Sequence, residues 1–165
     1  MQRVNGTFAL IFLAMCWILA GPAQGWASCT NCSTSIAYCT AGTSVSQVNT
    51  CLSSLPDGGT INFAAGSYSW SGTITPVNGK GVSLVGAGAG SSNVNISGGN
   101  IQLQGSTVNK KYRISGFTFT GSPGGGWAIW FWPRTGSTLS DFRVDHNTFS
   151  NLGTGDGAIL LGCSS

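Results

Sequence analysis

Three stretches decide the fold: Val82-Ser-Leu-Val-Gly-Ala-Gly-Ala-Gly90, Tyr112-Arg-Ile-Ser-Gly-Phe-Thr-Phe-Thr120 and Phe142-Arg-Val-Asp-His-Asn-Thr-Phe-Ser150. They begin thirty residues apart and align without gaps. The first and third positions are apolar in each (Val82, Tyr112, Phe142; Leu84, Ile114, Val144), and the position between them is polar (Ser83, Arg113, Arg143). A second segment keeps the step, since Trp127-Ala-Ile-Trp-Phe131 returns as Gly157-Ala-Ile-Leu-Leu161. Alternation with a period of two marks a strand with one buried face. A constant repeat that holds two or three short strands and their turns describes one turn of a solenoid. Its copies stack in parallel about 4.8 Å apart, because no single turn can bury its own apolar face. An antiparallel sandwich would explain the alternation but not the fixed register. The expectation is an all-β chain, a parallel β-helix over residues 57–165.

Composition agrees. Glycine accounts for 26 of 165 residues, and charged residues for 7%, against the usual ~25%. The only acids are Asp57, Asp141, Asp145 and Asp156. An apolar content of 41% separates the chain from disordered sequences of low charge. The net charge of +3 is small and scattered, which gives no footprint for nucleic acid. One short helical pattern, around Val45 to Leu55, precedes the strands and suits a capping helix. Gly86-Ala-Gly-Ala-Gly90 is a turn and not a nucleotide loop, since no helix pattern or closing Lys-Ser/Thr follows it.

The first residues read as an export signal. Arg3 precedes an apolar run from Phe8 to Ala20, shorter than the about 20 residues of a membrane span. Gly25 and Ala27 supply the small side chains that precede a cleavage site. The expected organisation is a signal peptide at 1–27, a cysteine-rich segment with the capping helix at 28–56, and the β-helix turns at 57–165. The mature chain is then extracellular or periplasmic, with no membrane contact once the signal is removed. Cys29, Cys32, Cys39 and Cys51 fit two disulfides in an oxidising compartment, with three connectivities open. The alternative is metal, because Cys29-Thr-Asn-Cys32 has zinc-ligand spacing. Cys163 has no evident partner.

Asp57-Gly-Gly-Thr-Ile-Asn-Phe-Ala-Ala-Gly-Ser-Tyr68, preceded by the short helix and followed by Val82-Ser-Leu-Val-Gly-Ala-Gly88, resembles the N-terminal opening of the pectin lyase-like right-handed parallel β-helix superfamily. Phe142-Arg-Val-Asp-His-Asn-Thr-Phe-Ser-Asn151 is similar to one of its turns. The resemblance covers roughly residues 45 to 162 and implies fold more than activity, since the superfamily includes lyases, glycosidases, esterases, phage tailspikes and non-catalytic surface proteins. It implies a right-handed coil of about three to four turns here. Because members usually have more turns, and the chain stops soon after the strand Ala158 to Leu161, the sequence is expected to be part of a longer protein.

Candidate chemistry concentrates near the third repeat. Alternation sends Phe142 and Val144 inward and leaves Asp141, Arg143 and Asp145 on the outer face. Stacking sets Arg143 beside Arg113, and Asp141 beside Lys111. Two guanidiniums about 4.8 Å apart repel. Either they form a ladder for the carboxylates of an acidic polysaccharide, which the arginine fork matches, or Asp141, Asp145 and solvent simply neutralise them, exposed pairs being worth about 0–1 kcal/mol. His146 is the only histidine and, next to Asp145, an acid/base candidate. Its column, Gly86, Gly116, His146, is also a bend, and histidine tolerates positive φ, so His146 and Asn147 equally read as turn residues.

Glycosidases set two carboxyl groups ~5–5.5 or ~6.5–9.5 Å apart. Asp141 and Asp145 on one strand are about 13 Å apart at the backbone, a poor fit, and whether Asp156 comes closer to Asp145 across the turn depends on the fold. In the pectate lyases that the chain resembles, calcium held by aspartates neutralises a uronate and an Arg or Lys removes the α-proton. Calcium takes about six to eight oxygens. Asp141, Asp145 and Asp156 begin such a site without completing the family's motif. The catalytic candidates are therefore Asp145, His146 and Arg143, and the calcium candidates Asp141, Asp145 and Asp156. Substrate candidates are Arg113, Arg143, Trp130, Trp132 and Arg134, with one tryptophan pair outward for sugar stacking or inward as core. The expected function is action on an acidic polysaccharide as lyase or glycosidase, and the alternative is a non-catalytic surface protein that binds glycan.

Overall fold

The computed structural model describes residues 26–77, 79–104, 110–132 and 141–162. Most of the expected signal segment, Arg134 and Cys163 lie outside the described residues.

The chain is mainly strand, with one α-helix among the described residues. β1 (Cys29–Thr30) and β2 (Ile36–Cys39) form an antiparallel hairpin, followed by helix α1 (Val45–Ser54). Four groups of three strands come next. They are β3 (Gly59–Phe63), β4 (Gly66–Trp70) and β5 (Thr73–Ile74); β6 (Val82–Gly86), β7 (Ser92–Ser97) and β8 (Asn100–Gln104); β9 (Lys111–Ser115), β10 (Phe117–Ser122) and β11 (Trp127–Trp132); and β12 (Asp141–Asp145), β13 (Thr148–Leu152) and β14 (Gly157–Leu161). Each group gives one strand to each of three sheets, ordered β1-β2-β3-β6-β9-β12, β4-β7-β10-β13 and β5-β8-β11-β14. Apart from the hairpin, every pairing is parallel. The chain thus visits the three sheets in rotation and returns to each beside its previous strand.

The thirty-residue register holds where the repeats were drawn for the first strand. Val82 pairs with Tyr112 and Leu84 with Ile114, and these continue to Phe142 and Val144. Trp127, Ile129 and Phe131 pair with Gly157, Ile159 and Leu161 as expected. Leu84 and Ile114 share one core, and Val144 packs against it. The gapless alignment continues into the next strand between the second and third repeats, where Thr118 pairs with Thr148 and Phe119 with Phe149, but fails after the first strand between the first and second. Thr118 and Thr120 pair with Asn93 and Asn95, not with Gly88 and Gly90. Gly88 and Gly90 instead take positive φ in a protruding turn that delays β7 until Ser92. The earlier steps are shorter as well: Ile61 pairs with Leu84, and Ile74 with Ile101.

Between the sheets an aromatic file fills the core. Phe63 packs edge-on to Tyr68, Trp70 and Phe117; Phe117 meets Phe119, which stacks on Phe149 at 5.3 Å. The polar tips are satisfied, as Tyr68 Oη donates to the Ala64 carbonyl (2.7 Å) and Trp70 Nε1 to that of Thr43 (3.2 Å). Helix α1 closes one end. Ser44 and Gln47 form a capping box at its start, and Val48, Cys51 and Leu52 are buried. Lys80 reaches back to the carbonyls of Ser53 and Leu55 at its far end, where a cation suits unpaired carbonyls. At the other end of the described residues Phe142, Ile159 and Leu161 are exposed. Phe142 is therefore not enclosed, as its alternation led one to expect; its ring leans on Phe131 at 4.4 Å, with no described strand beyond β12.

Two disulfides, Cys29–Cys39 and Cys32–Cys51, select one of the three connectivities. The first ties β1 to β2; the second ties the hairpin to α1. Because Cys29 and Cys32 lie in different bridges, the zinc alternative falls away. No described helix is long and apolar enough to cross a membrane.

Candidate functional site

The outer face of β9 and β12 carries the charged cluster that the repeat placed there. Arg143 lies in register with Arg113, Asp141 with Lys111 and Asp145 with Ser115. The two arginines do not simply repel, because Asp145 sits between them. Arg113 donates from Nε to Asp145 Oδ1 (3.0 Å) and from Nη2 to Oδ2 (2.9 Å), a forked pair, and also to Ser115 Oγ (3.3 Å). Arg143 approaches the same Oδ2 at 3.1 Å, and His146 Nδ1 lies 2.7 Å from it. The Arg113 guanidinium, with His146 and Arg143, holds the Asp145 carboxyl far below the usual carboxylate range. Its side chain is only 13% exposed, whereas that of Arg143 is 65% exposed.

This geometry fixes what Asp145 can do. Ion pairing that favours the carboxylate form suits Asp145 poorly to the role of general acid. Both oxygens are occupied by guanidinium hydrogens, which leaves it poorly placed as a base or cation ligand. Its work is to hold two like charges side by side. Among the described residues Arg143 is tied by one ion pair, and its side chain, with five N–H donors, stays largely exposed. Lys111 and Asp141, 4.0 Å apart and exposed, add a weak pair.

His146 adopts φ 56°, and Gly116 below it φ 79°, so the column is a left-handed bend as its composition implied. Gly86, the third member, is not in that region, though a Cβ there would collide with the Gly116 carbonyl. Asn147 turns out to be the anchor. Its Nδ2 donates to the Ile114 carbonyl (2.8 Å) and its Oδ1 accepts from the Phe117 amide (3.0 Å), clasping the turn beneath. The sequence hint was an asparagine at a bend; the pairing across turns needed the register.

Asp141, Asp145 and Asp156 are not gathered into one cluster. Asp156 lies in the turn between β13 and β14 and accepts from Ser122 Oγ (2.9 Å), apart from the Asp145 cluster. Among the described residues no three His, Cys, Asp or Glu side chains gather closely enough for an ion.

Trp130 and Trp132 belong to another sheet. Ile129 and Phe131 are buried in the core, so the tryptophan pair occupies the opposite, outer face of β11, the rings edge-to-face at 4.9 Å. Gln102 and Gln104 lie in register on β8, a neighbourhood that sequence reasoning missed although Asn100-Ile-Gln-Leu-Gln104 alternates visibly. The arginine face and the tryptophan face are thus outer surfaces of two different sheets. Comparison with family models, curated proteins and solved structures finds no match to this chain.

Proposed function

We propose that the chain is an exported, right-handed parallel β-helix that binds acidic polysaccharide through the arginine face of β9 and β12. Three sheets visited in rotation with parallel pairing support the coil, and parallel crossovers are right-handed in about 98% of cases. Two disulfides and the apolar leader support export. The pectin lyase-like resemblance of residues 45 to 162 agrees with both.

One observation carries the ligand class: Arg143 stands in register with Arg113, with a single carboxylate between two guanidiniums. Counting Lys111 and Asp141, three cations face two carboxylates, so the face keeps a net positive charge. A uronate carboxylate fits the exposed fork of Arg143. The geometry favours binding over hydrolysis, because the one well-placed carboxyl is locked in its ionised form. Elimination with the basic face supplying charge neutralisation is the catalytic reading that remains.

The test is calorimetry of the purified chain with oligogalacturonate, alongside ultraviolet detection of new unsaturated ends. Binding that falls at least about tenfold in Arg143→Ala, the loss typical of an anchoring arginine, supports the proposal. Unchanged affinity in that variant contradicts it. Unsaturated ends would extend the reading to a lyase, and their absence would leave a binding protein.

A further inference from the structure

The outer face of the third sheet carries a feature that the acidic-polysaccharide reading does not use. Its strands β8, β11 and β14 contain no charged residue: Asn100-Ile-Gln-Leu-Gln104, Trp127-Ala-Ile-Trp-Phe-Trp132 and Gly157-Ala-Ile-Leu-Leu161. The outward positions hold Gln102 and Gln104 on β8, Trp130 and Trp132 on β11, and Leu160 on β14, with Trp130 in register between Gln102 and Leu160, and Trp132 beside Gln104. Trp132 is 38% exposed, and Trp130 supports it edge-on at 4.9 Å. The Gly162 backbone lies against both rings: a Cβ there would stand 3.1 Å from Trp132 Cε3 and 3.4 Å from Trp130 Nε1. Bulk at that position would press on the pair. Trp130 Nε1 is closed off from solvent and has no hydrogen-bond partner.

Each part narrows the ligand. An exposed indole braced by a second one offers a flat apolar platform of fixed orientation, which suits the C–H face of a pyranose ring. Two glutamines side by side present amide donors and acceptors to hydroxyls without charge. The absence of charge from the described residues of β8, β11 and β14 favours a neutral ligand over uronates, phosphates or basic partners. A buried indole N–H without an acceptor is uncommon and unfavourable. We infer that this face is a second carbohydrate site, specific for a neutral glycan, in which a sugar ring stacks on Trp132 and its hydroxyls bond to Gln102 and Gln104. It does not rest on the arginine face, which belongs to another sheet.

The experiment titrates the full chain with cellohexaose, xylohexaose and mannohexaose while following tryptophan fluorescence, with calorimetry in parallel. At least one of these is expected to bind, and Trp132→Ala to weaken it about tenfold or more, as loss of a tryptophan anchor commonly does. Trp132→Phe keeps a ring and should recover part of the affinity, which separates stacking from misfolding. Gln104→Ala should weaken binding less. Arg143→Ala should leave neutral binding untouched, while oligogalacturonate responds to Arg143→Ala and not to Trp132→Ala. If none of the three neutral hexasaccharides binds, or if Trp132→Ala binds as tightly as the unaltered chain, the inference is overturned whatever the acidic ligand does.

Discussion

Arg113 and Asp145, on neighbouring strands and two register positions apart, meet in a forked ion pair at 3.0 and 2.9 Å. That contact turns a like-charged column into a stable one. Without Asp145, Arg143 and Arg113 would face each other with no counter-ion between them. Asp145→Asn should therefore tighten oligogalacturonate binding, since two guanidiniums lose an internal competitor. Calorimetry at low salt checks this, and equal or weaker affinity in a folded variant would count against an anion-receiving face. Added salt should weaken the binding in either form, because exposed charges are screened.

Acid should act late. Asp145 and Asp57 both have carboxyls held below their ordinary values, Asp145 chiefly by Arg113 and Asp57 chiefly by Lys110. A depressed native value stabilises the fold above the unfolded pKa of about 4 and loses that contribution as pH falls below it. The thermal midpoint is expected to stay level from about pH 7 to pH 5 and to drop below about pH 4. In Asp145→Asn the acid-side drop should be shallower. A decline already in place between pH 7 and 5 would show that other groups govern the acid response.

Asn147 should matter more to stability than its place at a turn suggests. Asn147→Ala leaves the Ile114 carbonyl and the Phe117 amide without their partner, and is expected to cost about 1–3 kcal/mol in urea unfolding. Asn147→Asp keeps the acceptor for Phe117 but sets a carboxylate against the Ile114 carbonyl, so it should be no better than alanine. His146→Gly, by contrast, relieves a left-handed residue and should be neutral or slightly stabilising.

The two bridges should differ in worth. Cys32–Cys51 closes a span of 19 residues and joins the hairpin to the capping helix, while Cys29–Cys39 closes 10 within a hairpin. Replacing Cys32 and Cys51 by alanine is expected to destabilise by about 2–4 kcal/mol, and replacing Cys29 and Cys39 by less. Chemical denaturation of the two double variants decides the order.

Much of the architecture was legible because alternation and a repeat are both written in side-chain type. Val82, Tyr112 and Phe142 announced their column before any coordinates, as did Ile129 and Ile159. What escaped was the length of the turns. A glycine-rich segment such as Gly86 to Gly90 can align by composition with a strand while bulging outward, and only hydrogen bonding reveals that β7 starts at Ser92. The candidate site was legible in its columns and not in its contacts. Arg143 beside Arg113 followed from the register, but that Asp145 serves both depends on side-chain reach. Whether Asp156 approaches Asp145 depended on the fold; it turns instead to Ser122 because it belongs to the corner between β13 and β14. The tryptophan face was legible as an alternation and ambiguous in direction, since Trp and Ile are both good core residues.

The central claim is that equivalent side chains of successive turns lie directly over one another. Paired cysteine substitution tests it most directly. Ser83 and Arg113 are register partners on adjacent strands, about 4.8 Å apart and within disulfide range, whereas Ser83 and Arg143 are two strands apart at about twice that distance. After mild oxidation and peptide mapping, Ser83→Cys with Arg113→Cys should crosslink nearly completely, and Ser83→Cys with Arg143→Cys should not. A crosslink in the second pair, or none in the first, would contradict the stacking on which both proposed binding faces are built.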